Sequence, residues 1–167
     1  FNPNWSAGLR IRTGSNDSQQ SPHITIDDYD HNDTGDSHVN MDKAFIKGKF
    51  DNTWLWIGKN GNPLWKNNEM VWDDDVTVLG GALGVKTKAG STNLEFKGGY
   101  FALPVGMRDY AGKLTLLQAI MSTKVDDVSF KGALAYLNID ADKNDTSITS
   151  LLDNNGARDY QNWIVRA

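Results

Sequence analysis

Residues 54–87 read WLWIGKNGNPLWKNNEMVWDDDVTVLGGALGVKT. The stretch opens as alternation, WLWIGK, and closes as alternation, VTVLGGALGVKT. Alternation with period 2 marks a strand whose two faces meet different surroundings. Between the two runs lies a polar loop, NGNPLWKNNEMVWDDD, carrying two tryptophans and an acidic end. A long loop joins these strands, while the turns on their far sides, around Asp51-Asn52-Thr53 and Lys88-Ala89-Gly90-Ser91, are short.

The same rhythm extends in both directions. Alternation predicts strands at 5–13, 41–50, 54–59, 76–87, 92–101, 113–124, 128–139 and 160–167. Short turns are expected at 51–53, 88–91 and 125–127. Long connections are expected at 14–40, 60–75, 102–111 and 140–159. Connections that alternate long and short place every long loop at one end of an antiparallel up-and-down sheet. The predicted fold is therefore all-β, with about eight strands in one domain over residues 1–167. Outer-membrane barrels have this asymmetry, with short turns on one side and long loops on the other. The faces of the sixth strand are the least clear.

Composition leaves both membrane and soluble β folds open. The chain of 167 residues has no cysteine, which excludes disulfides and thiolate chemistry. No apolar run approaches the roughly 18 residues of a transmembrane helix. A mean hydropathy of -0.51 does not exclude a membrane barrel, whose strands are apolar on one face only. The net charge of -4 conceals a division. The four long connections hold 16 acidic and 4 basic residues, net -12, and the remainder holds 5 acidic and 13 basic, net +8. Segregation of this kind informs more than the total does. Residues 1–4, FNPN, have neither the basic nor the apolar region of a signal peptide, so the chain is read as mature or as part of something longer.

One predicted face carries Leu9, Ile46, Leu83, Phe96 and Leu134; the other carries Arg10, Lys47, Gly84, Lys97 and Lys131. In a soluble sandwich the apolar face is core and the charged face meets solvent. In a barrel the apolar face meets lipid and the charged face lines the lumen. Trp5, Trp54, Tyr100, Tyr136 and Trp163 are expected near strand ends on the apolar face, as an interfacial girdle or as core aromatics. The rival to a barrel is a soluble carbohydrate-binding β-sandwich, with an aromatic platform and calcium held by Asp-rich loops.

The runs WSAGLRIRTGSND, MDKAFIKGKF, WLWIGKNGNPLW and MVWDDDVTVLGGALGV resemble the bacterial outer-membrane "putative porin" family. The likeness covers residues 5 to about 100; further on, only the strand rhythm continues. It implies a transmembrane β-barrel porin, not an enzyme, that lets small hydrophilic solutes or ions cross a bacterial outer membrane by passive diffusion. It also implies outer-membrane lipid and lipopolysaccharide as surroundings, allows a homo-oligomer, and implies no nucleic acid and no cofactor. The family's C-terminal strand ends in an aromatic residue, where this sequence has Arg166-Ala167, so the chain is expected to be an internal part of a larger barrel.

Several groups follow from the faces and loops. Arg10, Arg12, Lys43, Lys47, Lys49, Lys59, Lys86, Lys97 and Lys131 share the expected lumen face. They form either a pore wall that concentrates anions or a plain solvated surface. Glu95 is the one carboxylate expected in mid-strand, and Lys97 on the same face makes it a wall ion pair rather than a catalytic acid. Asn62, Pro63, Trp65, Trp72 and Asp73, with Asp74 and Asp75, belong to a loop that either folds inward as a constriction or packs over the rim or a neighbouring subunit. Asp28, Asp30 and Asn32, and again Asp140, Asp142 and Asn144, repeat D-x-D-x-N, the opening of a calcium loop, but neither completes an EF-hand. His23, His31 and His38 match no zinc spacing. No nucleophile elbow, phosphate loop or dinucleotide fingerprint is present.

Overall fold

The computed structural model describes residues 2–13, 39–66, 71–105, 110–142 and 160–166. Strands β1 (Trp5–Thr13), β2 (Val39–Phe50), β3 (Thr53–Gly61), β4 (Thr77–Ala89), β5 (Thr92–Pro104), β6 (Tyr110–Val125), β7 (Val128–Ala141) and β8 (Tyr160–Arg166) make up all of its regular structure. They form one sheet in chain order, and every neighbouring pair is antiparallel. The sheet is open: β1 and β8 are its two edges. No second sheet packs on it among the described residues, as the sandwich alternative requires.

The short connections are tighter than alternation alone indicates. Phe50 pairs with Thr53, Ala89 with Thr92 and Val125 with Val128, leaving two-residue turns. The first turn residue has positive φ each time: Asp51 39°, Gly90 61° and Asp126 53°. Left-handed backbone at that position suits the right-handed twist of the flanking strands. These turns all lie at one end of the sheet, and the chain leaves for 14–38, 62–76, 105–109 and 142–159 at the other.

Several strands outrun their alternation. Pro104 pairs with Tyr110, and Asp140 pairs with Lys113 inside β7 rather than opening a loop. Between Arg10 and Ile11 the register shifts, and Asp42 on β2 is left without an opposite residue. Such a bulge seats two successive residues on one face. It turns Asp42 toward Arg10 and Arg12.

The pleat separates two faces. Leu9, Ile46, Leu83, Phe96 and Leu134 lie on the outer one, each about half exposed or more. Arg10, Lys43, Lys47, Lys49, Gly84, Lys86, Glu95, Lys97 and Lys131 lie on the inner one, as the cross-strand register requires. Trp5 packs edge-on against Phe50 at 5.5 Å, and Tyr136 lies tilted on Trp163 at 5.0 Å, both on the outer face. Trp54 differs from expectation: it is an inner-face residue, opposite Lys49 and Gly84. Lys59 also differs, since it pairs with Ala44 and Leu79 in the outer row. It nonetheless is buried, with Nζ donating to the Met41 carbonyl at 3.1 Å.

Candidate functional site

The inner face changes character along the strands. Toward the long loops one cross-strand row runs Gly80, Phe101, Leu114, Ile139. The next toward the turns is Lys47, Trp56, Ala82, Gly99, Leu116, Leu137. Then come Lys49, Trp54, Gly84, Lys97, Gln118, Ala135, and beyond them Lys86, Glu95, Ile120, Ala133. The last holds Lys88, Asn93, Ser122 and Lys131. Side chains thus pass from apolar to charged over five rows, or about 27 Å at ~3.4 Å per residue.

The apolar end is dry. Val78, Phe101, Leu114, Leu116 and Leu137 are at most 2 % exposed. Such burial on one side of a single sheet needs a cover, and the loop after β3 provides it: Leu64 enters the same cluster and Trp72 packs against it. Trp56 stacks on Phe101 at 5.6 Å with the rings 19° apart, which closes the cluster toward the charged rows. The indistinct faces of β6 now have a cause. Leu114 and Leu116 face the covered side and Leu117 faces out, so both faces are apolar and alternation disappears.

The loop is tied across the inner face rather than over the rim. Trp65 N–H donates to Gln118 Oε1 at 2.7 Å, and Gln118 Nε2 donates to the Trp65 carbonyl at 2.9 Å. Gln118 is 4 % exposed, and its amide pairs with both the backbone N–H and the C=O of one residue. Lys97 Nζ donates to the Pro63 carbonyl at 3.2 Å. Lys131 Nζ lies 4.2 Å from the Trp65 ring centroid, within cation–π range. Asn62 accepts from Leu64 N–H at 3.0 Å through Oδ1, while its buried Nδ2 has no partner among the described residues.

Returning to the strand, the loop is internally braced. Lys66 pairs with Asp74 at 2.8 Å and donates to the Trp72 carbonyl. Trp72 Nε1 donates to the Val76 carbonyl at 3.0 Å. Asp73 accepts from Asp75 N–H at 2.8 Å through its carboxylate and from Val76 N–H at 3.2 Å through its carbonyl. Of the five loop residues expected to act together, Asn62, Pro63 and Trp65 lie on the inner face, whereas Trp72 and Asp73 shape the loop's return.

The basic residues fall into two groups. Near the long loops, Arg10 and Arg12 converge on Asp42, which is fully buried; Arg10 Nε donates to Oδ2, and Arg12 Nε lies 3.6 Å from Oδ1. Glu95 is therefore not the only mid-strand carboxylate. The second group lies near the turns. There Glu95 accepts from the Trp54 indole at 3.3 Å and lies 3.8 Å from Lys97 Nζ. Lys47, Lys49, Lys86 and Lys131 surround this pair on the same face and make no ion pair among the described residues. Trp54 lies flat over Gly84, where a Cβ would come within 2.4 Å of Cε2; only glycine admits the indole there.

The calcium pattern is divided by the structure. Asp140 and Asp142 are exposed, at and just past the end of β7. Asp28, Asp30, Asn32, Asn144 and the three histidines lie outside the described residues. Among the described residues no three His, Cys, Asp or Glu side chains gather as a metal site.

A single antiparallel meander, apolar and exposed on one face, charged on the other and long-looped at one end, is the wall of a membrane β-barrel. A family model described as "Putative porin" matches residues 1–150. The chain belongs to that family, and its role is that of a porin-like channel. No curated protein and no solved structure matches it.

Proposed function

We propose that the protein forms a water-filled channel through a bacterial outer membrane and that small hydrophilic solutes and ions diffuse through it down their gradients. In this reading the outer face meets lipid, the inner face lines the lumen, and the short turns lie on the periplasmic side. The observation that carries it is the loop tied to Gln118, Lys97 and Lys131: residues 62–65 project from the wall into the space the inner face bounds. There they narrow the path, and the lysines beside them set the field a solute crosses. Pore-lining roles accordingly go to Lys47, Lys49, Lys86, Glu95, Lys97 and Lys131, and the constriction to Asn62, Pro63 and Trp65. Arg10, Arg12 and Lys43 line the wall closer to the long loops, where Asp42 offsets part of their charge. Transport is passive and no residue does covalent chemistry.

The test is conductance of the full-length protein in planar bilayers. Discrete, ohmic channel openings are expected. Inserted protein that conducts nothing overturns the reading. A protein that stays soluble without detergent would return the carbohydrate-binding alternative.

A further inference from the structure

We propose that the turn-side half of the inner face is a binding subsite for multivalent anions, solutes with two or more phosphate or carboxylate groups. The inference rests on the channel reading and goes beyond it by naming a class of cargo. A hollow of about 420 Å³ lies between Lys47, Lys49, Lys86 and Lys97, with Trp54 and Pro63 completing its wall. A second, of about 600 Å³, shares Asn52, Lys86 and Glu95 with it and adds Lys88 and Lys131. The two adjoin along these shared residues, and the depression they make together is bordered by six ammonium groups.

Negative charge in the depression is scarce and already engaged. Glu95 is held by the Trp54 indole and by Lys97. Asp51 stands at the rim of the first hollow, in the turn. Lys47, Lys49, Lys86 and Lys88 are exposed, so their charge faces the depression rather than a protein partner. Cations this crowded repel one another and recruit counterions. One multivalent anion replaces several monovalent ones and releases them, which favours it over chloride. The apolar rows beside the depression exclude water and focus the field into it. The loop at Pro63 and Trp65 bounds the subsite on the long-loop side, so an anion that passes the constriction arrives among the lysines.

By contrast, the arginine group near the long loops has Asp42 buried at its centre. Its two guanidinium groups share that one carboxylate, a net charge of +1, whereas the six ammonium groups of the depression face only Glu95 and Asp51, a net charge of +4, which places the stronger anion preference at the lysines.

The experiment uses full-length protein in planar bilayers, with chloride current measured while inorganic pyrophosphate is added, and acetate as the monovalent control. The variants are Lys49→Gln with Lys86→Gln, both exposed positions whose loss leaves the packing intact, and Lys86→Glu alone. Pyrophosphate should reduce the wild-type chloride current, acetate should not, and the half-blocking concentration should rise about tenfold in the double variant. Calorimetric titration of the detergent-solubilised protein with pyrophosphate should show the same order of affinities without requiring a current. Channels that pass chloride with no block, or with equal block in every variant, would overturn the subsite and leave the porin reading standing. Absence of any channel in inserted protein together with absence of pyrophosphate binding would overturn both. Block by pyrophosphate and by citrate at similar concentrations would identify charge as what is recognised; block by pyrophosphate alone would narrow the cargo to phosphates.

Discussion

The two halves of the inner face are built on the same strands and differ in nearly everything else. Toward the long loops, Leu114, Leu116, Phe101 and Val78 are sealed beneath Leu64. Toward the turns, lysines stand in solvent around one carboxylate. A strand in a barrel wall repeats every two residues, so it has no intrinsic reason to change from dry to wet midway. The loop imposes the change: where it lies on the wall, apolar side chains are needed beneath it, and where it ends, polar ones take over. Wall composition in this protein therefore follows what covers each row.

If that is right, equal truncations should behave differently in the two halves. Leu116→Ala, in the dry half, should destabilise the folded protein by about 2–5 kcal/mol, because the cavity cannot collapse between sheet and loop. Lys86→Ala, in the wet half of the same face, should change stability by less than about 0.5 kcal/mol. Equilibrium unfolding by urea in detergent micelles or vesicles measures both. Comparable losses would mean that the halves are not distinct.

The outer face should be uniform where the inner is divided. Leu83→Arg should cost about 2–4 kcal/mol if the site is near the bilayer midplane, measured by the same unfolding in lipid vesicles. Tolerance of that charge would count against lipid contact.

At the boundary between the halves, Gln118→Ala leaves both the N–H and the C=O of Trp65 without their side-chain partner, which should cost about 1–3 kcal/mol. Single-channel conductance should rise as the loop loosens. Gly84→Ala should cost about 1–3 kcal/mol through its clash with Trp54. Lys131→Gln, which removes the cation–π contact and one positive charge of the wall but no hydrogen bond to the loop, should cost about 0.5–1 kcal/mol and widen the pore least. An inverted order among these three would mean that Gln118 is not the main tie.

Much of the wall is written in the alternation of the chain. The faces of β2, β4, β5 and β7 follow from it, as does the placing of short turns at one end, because the pleat leaves no choice once the strands are recognised. Three features escape it for physical reasons. Asp42 sits in a bulge, which adds a residue and breaks the parity that assigns faces; its place just before Lys43, within a basic run, was the available sign. Trp54 reads with the apolar face, as girdle or core, because its neighbour Leu55 is apolar too and alternation cannot rank the two; the deciding neighbour, Gly84, lies on another strand. Gln118 is one polar residue in the strand whose alternation is blurred, and its partner is a peptide unit 53 residues earlier. Periodicity carries no signal for a contact of that range. The choice between an inward loop and one packed over the rim is open in the sequence for the same reason, although two tryptophans in a polar loop already required a surface to pack on.

Residues of one strand should meet lipid and water in turn, and residues 1–167 contain no cysteine that would compete for a label, so in a full-length background free of other cysteines the alternation is directly testable. Single Leu83→Cys and Lys86→Cys variants of the full-length protein, inserted in vesicles, are treated with a membrane-impermeant thiol reagent. The same positions, carrying a fluorophore, are then exposed to a lipid-dissolved nitroxide quencher. Position 86 should react from water and escape quenching, while position 83 should be quenched by lipid and resist the aqueous reagent. Aqueous labelling of both positions, or quenching at 86 and not at 83, would contradict it.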